Sequence, residues 1–272
     1  MDVFSADWLG ICRRIVAAQR AVYAATPGSE ARTVYEGVGE GGDHTLVIDR
    51  ECEDAVFAEL EQLAADGASF VAVSEERGEV SFGAGGEARV VIDPIDGSLN
   101  ARRTIPSHSL SIAVASGPSM ADVEFGFVHD FGADEEFSAR RGEGARLGEA
   151  PARVAPAGEK LEVVGLESAD PQWSQAPLRA LEGKVYRLRV VGSIAITAAY
   201  VGSGRFDAML SLRSCRSVDA AAAQLFVREA GGAVAFGDLS LQEAVLDLEA
   251  RYPITAASSE AGLAIVRAAQ AA

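Results

Sequence analysis

Arg89-Val-Val-Ile-Asp-Pro-Ile-Asp-Gly-Ser-Leu-Asn100 is the stretch on which the fold and the chemistry of this chain turn. Residues 89–92 read as a short buried strand. Pro94 disfavours a helical conformation at the residue before it, so the strand delivers Asp93 in extended form at its end. Asp96 follows three residues later, and the Gly97-Ser98 turn exposes backbone N–H groups. Carboxylates crowded at one strand end repel each other and hold on to protons unless a cation neutralises them. An all-oxygen donor set favours Mg²⁺, Mn²⁺ or Ca²⁺ over zinc. An Asp-Pro turn with an Asx-type hydrogen bond accounts for the same residues without a metal.

Working outward, 70–74 reads as a second buried strand ending in Glu75-Glu76. Alone, that pair fits a solvated loop; two strands that both end in carboxylates point to a shared site at the sheet edge. A third acid, Asp219, falls in the first turn of a helix over 217–230, where it also complements the helix dipole. Helical spacing runs over 8–23, with Gln19 the one polar intruder, and a second helix is expected over 45–65. Residues 109–115, 123–129 and 135–139 alternate as antiparallel strands, closed by the turn at 140–144. Gly, Ala and Pro make 148–160 the linker candidate, dividing an N-terminal α+β half (1–148) from a C-terminal α/β half (149–272) within one catalytic unit. Beyond it a strand at 185–191, a helix at 193–202 and a strand at 206–212 precede the 217–230 helix, which Gly231-Gly232 stops. The class is α/β.

The chain has 272 residues, 49% of them hydrophobic and 24% charged, which is globular usage. Forty acidic against 24 basic side chains give a net charge of −16, which repels nucleic acid and acidic membranes. No apolar run approaches the roughly 20 residues of a membrane span, and the N-terminus lacks a signal-peptide pattern, so a cytoplasmic location is expected. Cys12, Cys52 and Cys215 fit neither a disulfide framework nor a zinc site and are expected as buried thiols. His44, His108 and His129 show no metal-ligand spacing. Gly37-Val-Gly-Glu-Gly-Gly42 satisfies a dinucleotide-type pattern without the strand before it or the acid after it, and reads better as an active-site loop.

Taken together, the blocks Gly42-Asp-His-Thr-Leu-Val-Ile-Asp49 with Glu53-Asp54, Ser74-Glu-Glu76, Asp93-Pro-Ile-Asp-Gly-Ser98, Ile105-Pro106 with Ser109–Ala113, Gly192-Ser193, and Asp219-Ala-Ala with Glu229-Ala-Gly-Gly232 resemble the inositol monophosphatase-like, metal-dependent sugar phosphatase family, especially its archaeal-type members. The resemblance spans most of the chain. It implies a layered αβαβα sandwich and hydrolysis of a phosphomonoester with two or three Mg²⁺ ions, Mn²⁺ being a possible substitute. It implies that Glu75, Asp93 and the Ile95 carbonyl hold one ion and that Asp93, Asp96 and Asp219 hold a second. Asp49 with Ser98 matches the pair that activates the attacking water, Glu75 also serving a third ion. Gly97 and Ser98 match the phosphate cradle, and Gly192, Ser193, Asp96 and Asp219 match substrate contacts. A small phosphorylated substrate and a homodimer are implied.

Three departures from the family pattern stand out. Ser98 occupies a usual threonine position. The tryptophan common before the late Asp is replaced within Arg213-Ser-Cys-Arg216-Ser-Val-Asp219, and Leu212 stands where other members carry an acid that contacts inositol. Arg213 and Arg216 are candidates for a second substrate phosphate, as are Arg102-Arg103. The expected substrates are fructose 1,6-bisphosphate and inositol 1-phosphate. The alternatives are a 3'-phosphoadenosine 5'-phosphate nucleotidase and a regulatory module that keeps the scaffold without turnover.

Overall fold

A computed structural model describes residues 2–38, 44–156, 158 and 160–272. Among these the α-helices are α1 (Trp8–Ala25), α2 (Val47–Ala65), the short α3 (Ser98–Arg102), α4 (Pro171–Leu181), α5 (Ile194–Gly202), α6 (Ser217–Glu229) and α7 (Glu260–Gln270). Helix α1 buries Trp8, Ile11, Cys12, Ile15, Val16, Gln19 and Tyr23 along one stripe, as a 3.6-residue period requires. Each fully buried apolar side chain of that stripe contributes about 1.5–3 kcal/mol, so packing and not intrinsic propensity holds the helix. Asp7 caps it by accepting from the Gly10 N–H.

Helices α1 and α2 pack together on one face of an eight-stranded sheet. Its order runs Ala150–Ala152, Gly144–Leu147, Glu135–Arg140, Val123–Asp130, Ser109–Ala115, Arg89–Asp96, Phe70–Ser74 and Gly78–Phe82. The other face meets α5 and α6 in a core that joins Val73, Val91 and Ala113 to Ala195, Phe226 and Ile254. Alanines 220–223 of α6 are all buried, and their small side chains let the helix lie between two sheets. The second sheet is five-stranded and mixed, in the order Val185–Arg189, Leu161–Glu167, Ala208–Ser211, Ile254–Ala257 and Ala233–Phe236. Its outer face is covered by α4 and α7, with Leu181, Leu263 and Val266 buried there. The layers are therefore αβαβα, as the motif resemblance implied.

The expected linker at 148–160 is shorter than the sequence suggested. Gly148, at φ +57°, turns the chain so that Ala150–Ala152 pairs with Gly144–Leu147 and becomes the edge of the first sheet. Edge position is what allows Pro151, which has no N–H to donate, inside a strand. The 37–42 loop reading lies largely outside the described residues.

Candidate active site

Strands Phe70–Ser74 and Arg89–Asp96 run parallel, with Ser74 opposite Ile92. The next residue on each strand is an acid, so Glu75 and Asp93 emerge side by side at the carboxyl end of the sheet, where α/β folds place ligands. Residues three apart on a regular strand point to opposite faces. Here the ladder with Ser109–Ala115 slips, Asp93 facing Ser111 and Asp96 facing Ser109. Pro94 lies within that bulge, and the extra residue turns Asp96 to the same face as Asp93. The spacing of the two aspartates thus becomes a shared site.

Asp219 arrives from the first turn of α6. Its Oδ2 accepts the Arg216 N–H at 2.9 Å, so it caps the helix and faces the strands at once. One carboxylate oxygen each of Glu75, Asp93 and Asp219 lie within 4.8 Å of one another. Burial, and after it repulsion from Glu75, Asp96 and Asp219, pushes Asp93 well above the usual carboxylate range. Glu75 rises to about 8, through burial opposed by the Arg216 guanidinium. Asp219 rises to about 7, through burial and then the charge of Asp96. The Arg216 Nη1 donates to Glu75 Oε1, an ion pair whose arginine is almost fully buried. Hard oxygen donors with so much uncompensated negative charge fit a divalent cation such as Mg²⁺ or Mn²⁺.

Asp96 is held mainly by the start of α5, with Ser109 of the neighbouring strand as a further donor. Its Oδ2 accepts from Ser193 Oγ at 2.5 Å, the Ala195 N–H at 2.7 Å and Ser109 Oγ at 3.3 Å, while Oδ1 accepts only from the Ile194 N–H at 3.3 Å. The segment that holds Asp96 is itself clamped by Glu167, at the carboxyl end of its strand. Glu167 accepts from the Val191 N–H, the Gly192 N–H and Thr197 Oγ1 at 3.1, 2.9 and 2.7 Å. Burial raises its carboxyl to about 7 against the pull of these donors. Asn100 Nδ2 ties the two turns together by donating to Ser107 O and Val191 O, both at 2.8 Å.

The model of the inositol monophosphatase family matches residues 13–271. The chain belongs to that family. A fructose-1,6-bisphosphatase/inositol-1-monophosphatase of Methanothermobacter thermautotrophicus is 30% identical over 262 residues, covering 93% of this chain and 92% of the relative. One of the same description from Archaeoglobus fulgidus is 31% identical over 260 residues, covering 93% and 94%. The crystal structure of an inositol monophosphatase-fructose 1,6 bisphosphatase superposes with a TM-score of 0.84 at 25% identity, covering 97% of this chain and all of that one. Membership makes the protein a phosphatase of a metal-dependent family with this sandwich fold.

Within this inositol monophosphatase family chain, the structure brings Glu75, Asp93 and Asp219 together and sets Asp96 beside them. Asp49 is buried at the start of α2, where its Oδ2 accepts the Leu46 N–H at 3.0 Å, and burial raises it to about 6. Ser98, the first residue of α3, is exposed, and Gly97 precedes it at φ +91°. Gly192 and Ser193 line a cavity of about 940 Å³ together with Asp96, Arg213 and Arg216. Arg213 is exposed, whereas Arg216 is engaged with Glu75. The three cysteines are free and buried, and His108 and His129 are buried too. No helix among the described residues is long and apolar enough to cross a membrane.

Three supporting residues carried no recognisable role in the sequence. Gln19, the polar intruder of α1, donates to Cys52 O and to Pro94 O at 3.1 and 3.2 Å and so pins the Asp93-Pro94 strand end. Glu53 of α2 accepts from Ser74 Oγ and from the Arg77 N–H at 3.2 Å, fixing the turn that presents Glu75. Glu167 is the third. Gln19 was marked as a polar residue on an otherwise apolar helical stripe and Glu53 stood in a matching motif block without an assigned role, whereas nothing in the sequence marked Glu167.

Proposed function

We propose that the protein is a Mg²⁺-dependent phosphomonoester hydrolase of sugar or inositol phosphates, acting on fructose 1,6-bisphosphate and inositol 1-phosphate. The observation that carries this is the meeting of Glu75, Asp93 and Asp219 within 4.8 Å, at strand and helix ends next to the Gly97-Ser98 turn. Glu75, Asp93 and the Ile95 carbonyl would hold one ion, and Asp93, Asp96 and Asp219 a second, with a third and Mn²⁺ as variants. Asp96 has Oδ1 to offer, since Oδ2 already accepts three donors. Bound divalent ions would supply Lewis-acid polarisation of the phosphoryl group and acidification of water.

The remaining work falls to the chain's own groups. Gly97 and Ser98 N–H groups would receive phosphate oxygens. Asp49, with a carboxyl raised to about 6, would take the proton of the attacking water that Ser98 Oγ orients. Gly192, Ser193, Arg213 and Arg216 would face the rest of the substrate across the cavity.

The test is phosphate release from fructose 1,6-bisphosphate, inositol 1-phosphate and 3'-phosphoadenosine 5'-phosphate, with Mg²⁺ or EDTA, beside Asp93→Asn. The reading expects turnover of the first two with Mg²⁺, none in EDTA, and loss of at least a thousandfold in Asp93→Asn. Turnover of the nucleotide alone would assign a nucleotidase, and turnover of nothing a regulatory role.

A further inference from the structure

We infer that Arg251, together with Arg213, forms an anion subsite for the second phosphate of a bisphosphorylated sugar, an inference that rests on the phosphatase reading above. Strand Cys215–Arg216 pairs antiparallel with Arg251–Tyr252, and Arg216 stands directly opposite Arg251. Directly opposed residues of an antiparallel pair project to one face with Cβ atoms about 5 Å apart. Arg216 reaches Glu75 of the carboxylate cluster, so its neighbour Arg251 lies one strand further from the proposed metals, on the same face.

Two opposed arginines repel unless each meets negative charge. Arg216 has Glu75. Arg251 and Arg213 are both exposed, and neither has a carboxylate partner among the described residues, although the chain carries 40 acids. Both line the 940 Å³ cavity that also contains Asp96 and Arg216, and both line the adjoining cavity of about 770 Å³. Arg267, in that second cavity, is by contrast paired with Asp238 at 3.0 Å. The uncompensated positive charge therefore sits where the two cavities adjoin, beyond Arg216 from the carboxylates. Asp96, Leu99 and Asn100, which flank the Gly97-Ser98 turn, line the same cavity as Arg213 and Arg251, so the far end of a sugar whose phosphate sits at that turn would reach this wall, where guanidinium groups grip phosphate oxygens in a fork.

The experiment compares kcat/KM for fructose 1,6-bisphosphate with kcat/KM for inositol 1-phosphate in wild type, Arg251→Gln, Arg251→Lys and Arg213→Gln. Calorimetric titration of fructose 1,6-bisphosphate is run on each protein. The ratio of bisphosphate to monophosphate efficiency falls roughly tenfold or more in Arg251→Gln, through KM, and less in Arg251→Lys, which keeps charge without the fork. Binding of the bisphosphate weakens in parallel. An unchanged ratio, or an equal loss for both substrates, overturns the subsite. If wild type hydrolyses neither compound, the phosphatase reading fails separately. The titration then still decides: weaker binding in Arg251→Gln keeps the subsite, and equal binding or none removes it.

Discussion

Gly97 and Gly192 meet back to back across the two sheets. A Cβ on Gly97 would stand 2.9 Å from the Gly192 carbonyl oxygen, and one on Gly192 would stand 2.7 Å from Asn100 Nδ2. Both have left-handed backbone conformations, at φ +91° and +82°. The Gly97-Ser98 turn, the proposed phosphate cradle, and the loop that leads to the Asp96-holding start of α5 are thus one packed unit. Gly97→Ala adds about 1–2 kcal/mol of backbone strain to a clash with backbone that cannot swing away. The expected result is a thermal midpoint lowered by about 5 °C and a kcat/KM lowered more than tenfold, read by calorimetry and phosphate release.

Asp49 tests the proposed base. Asp49→Asn keeps an oxygen that can accept the Leu46 N–H, so α2 retains its cap. Proton acceptance is lost. The expectation is a kcat reduced by about 10²–10⁴ with little change in KM or melting temperature. The wild-type kcat should fall below pH 6, because a carboxyl raised to about 6 is protonated there. A kcat within threefold of wild type would remove Asp49 from the chemistry.

Metal-free protein should lose stability as pH rises from about 6.5 to 8.5. Glu75, Asp219 and Glu167 titrate in the folded state near 8, 7 and 7, well above their values when unfolded. In this window the folded chain holds more protons than the unfolded one, so unfolding free energy declines as pH increases. Burial holds His108 and His129 below their usual value, so they oppose part of the trend at the lower edge of the window, where unfolded imidazoles are still partly charged, and drop out toward pH 8.5. Melts in EDTA across this range should show a falling midpoint, and saturating Mg²⁺ should flatten it. A midpoint that rises with pH in EDTA would contradict the electrostatics of the cluster.

Glu167→Gln replaces one accepting oxygen with a donor opposite the partly buried Val191 and Gly192 N–H groups and Thr197 Oγ1. The cost expected is about 1–3 kcal/mol in denaturant unfolding. Thr197→Val, which removes one donor to the same carboxylate, should cost less, about 0.5–1.5 kcal/mol. If Glu167 positions the Gly192-Ser193 segment, its variant also raises KM for phosphorylated substrate, whereas a purely structural role would lower stability alone.

Much of this was readable in order along the chain. Strands Phe70–Ser74 and Ser109–Ala115 and helices α1, α5 and α6 follow apolar periodicity closely, with capping residues and the Gly231-Gly232 stop marking ends. Strands Gly78–Phe82 and Ile254–Ala257 did not stand out, because Gly-Glu-Val-Ser-Phe has two large apolar residues and Ile-Thr-Ala-Ala is short and alanine-rich. Their stability comes from neighbours: Gly78–Phe82 pairs residue for residue with Phe70–Ser74, and Ile254–Ala257 is sandwiched between two strands. Leu161–Glu167 was hidden by the glycine- and proline-rich segment before it, and with it Glu167.

What the sequence determined by itself is local: the acids that end two strands, the extended Asp93 before Pro94, the left-handed turn only glycine enters readily, and the first-turn position of Asp219. Sterics and side-chain chemistry act there within a few residues. Tertiary structure alone decided that Ser74 faces Ile92, that a bulge swings Asp96 onto the face of Asp93, that Glu167 clamps the loop before α5, and that Arg251 stands beside Arg216. These depend on register and packing between segments far apart in the chain, which no local preference encodes.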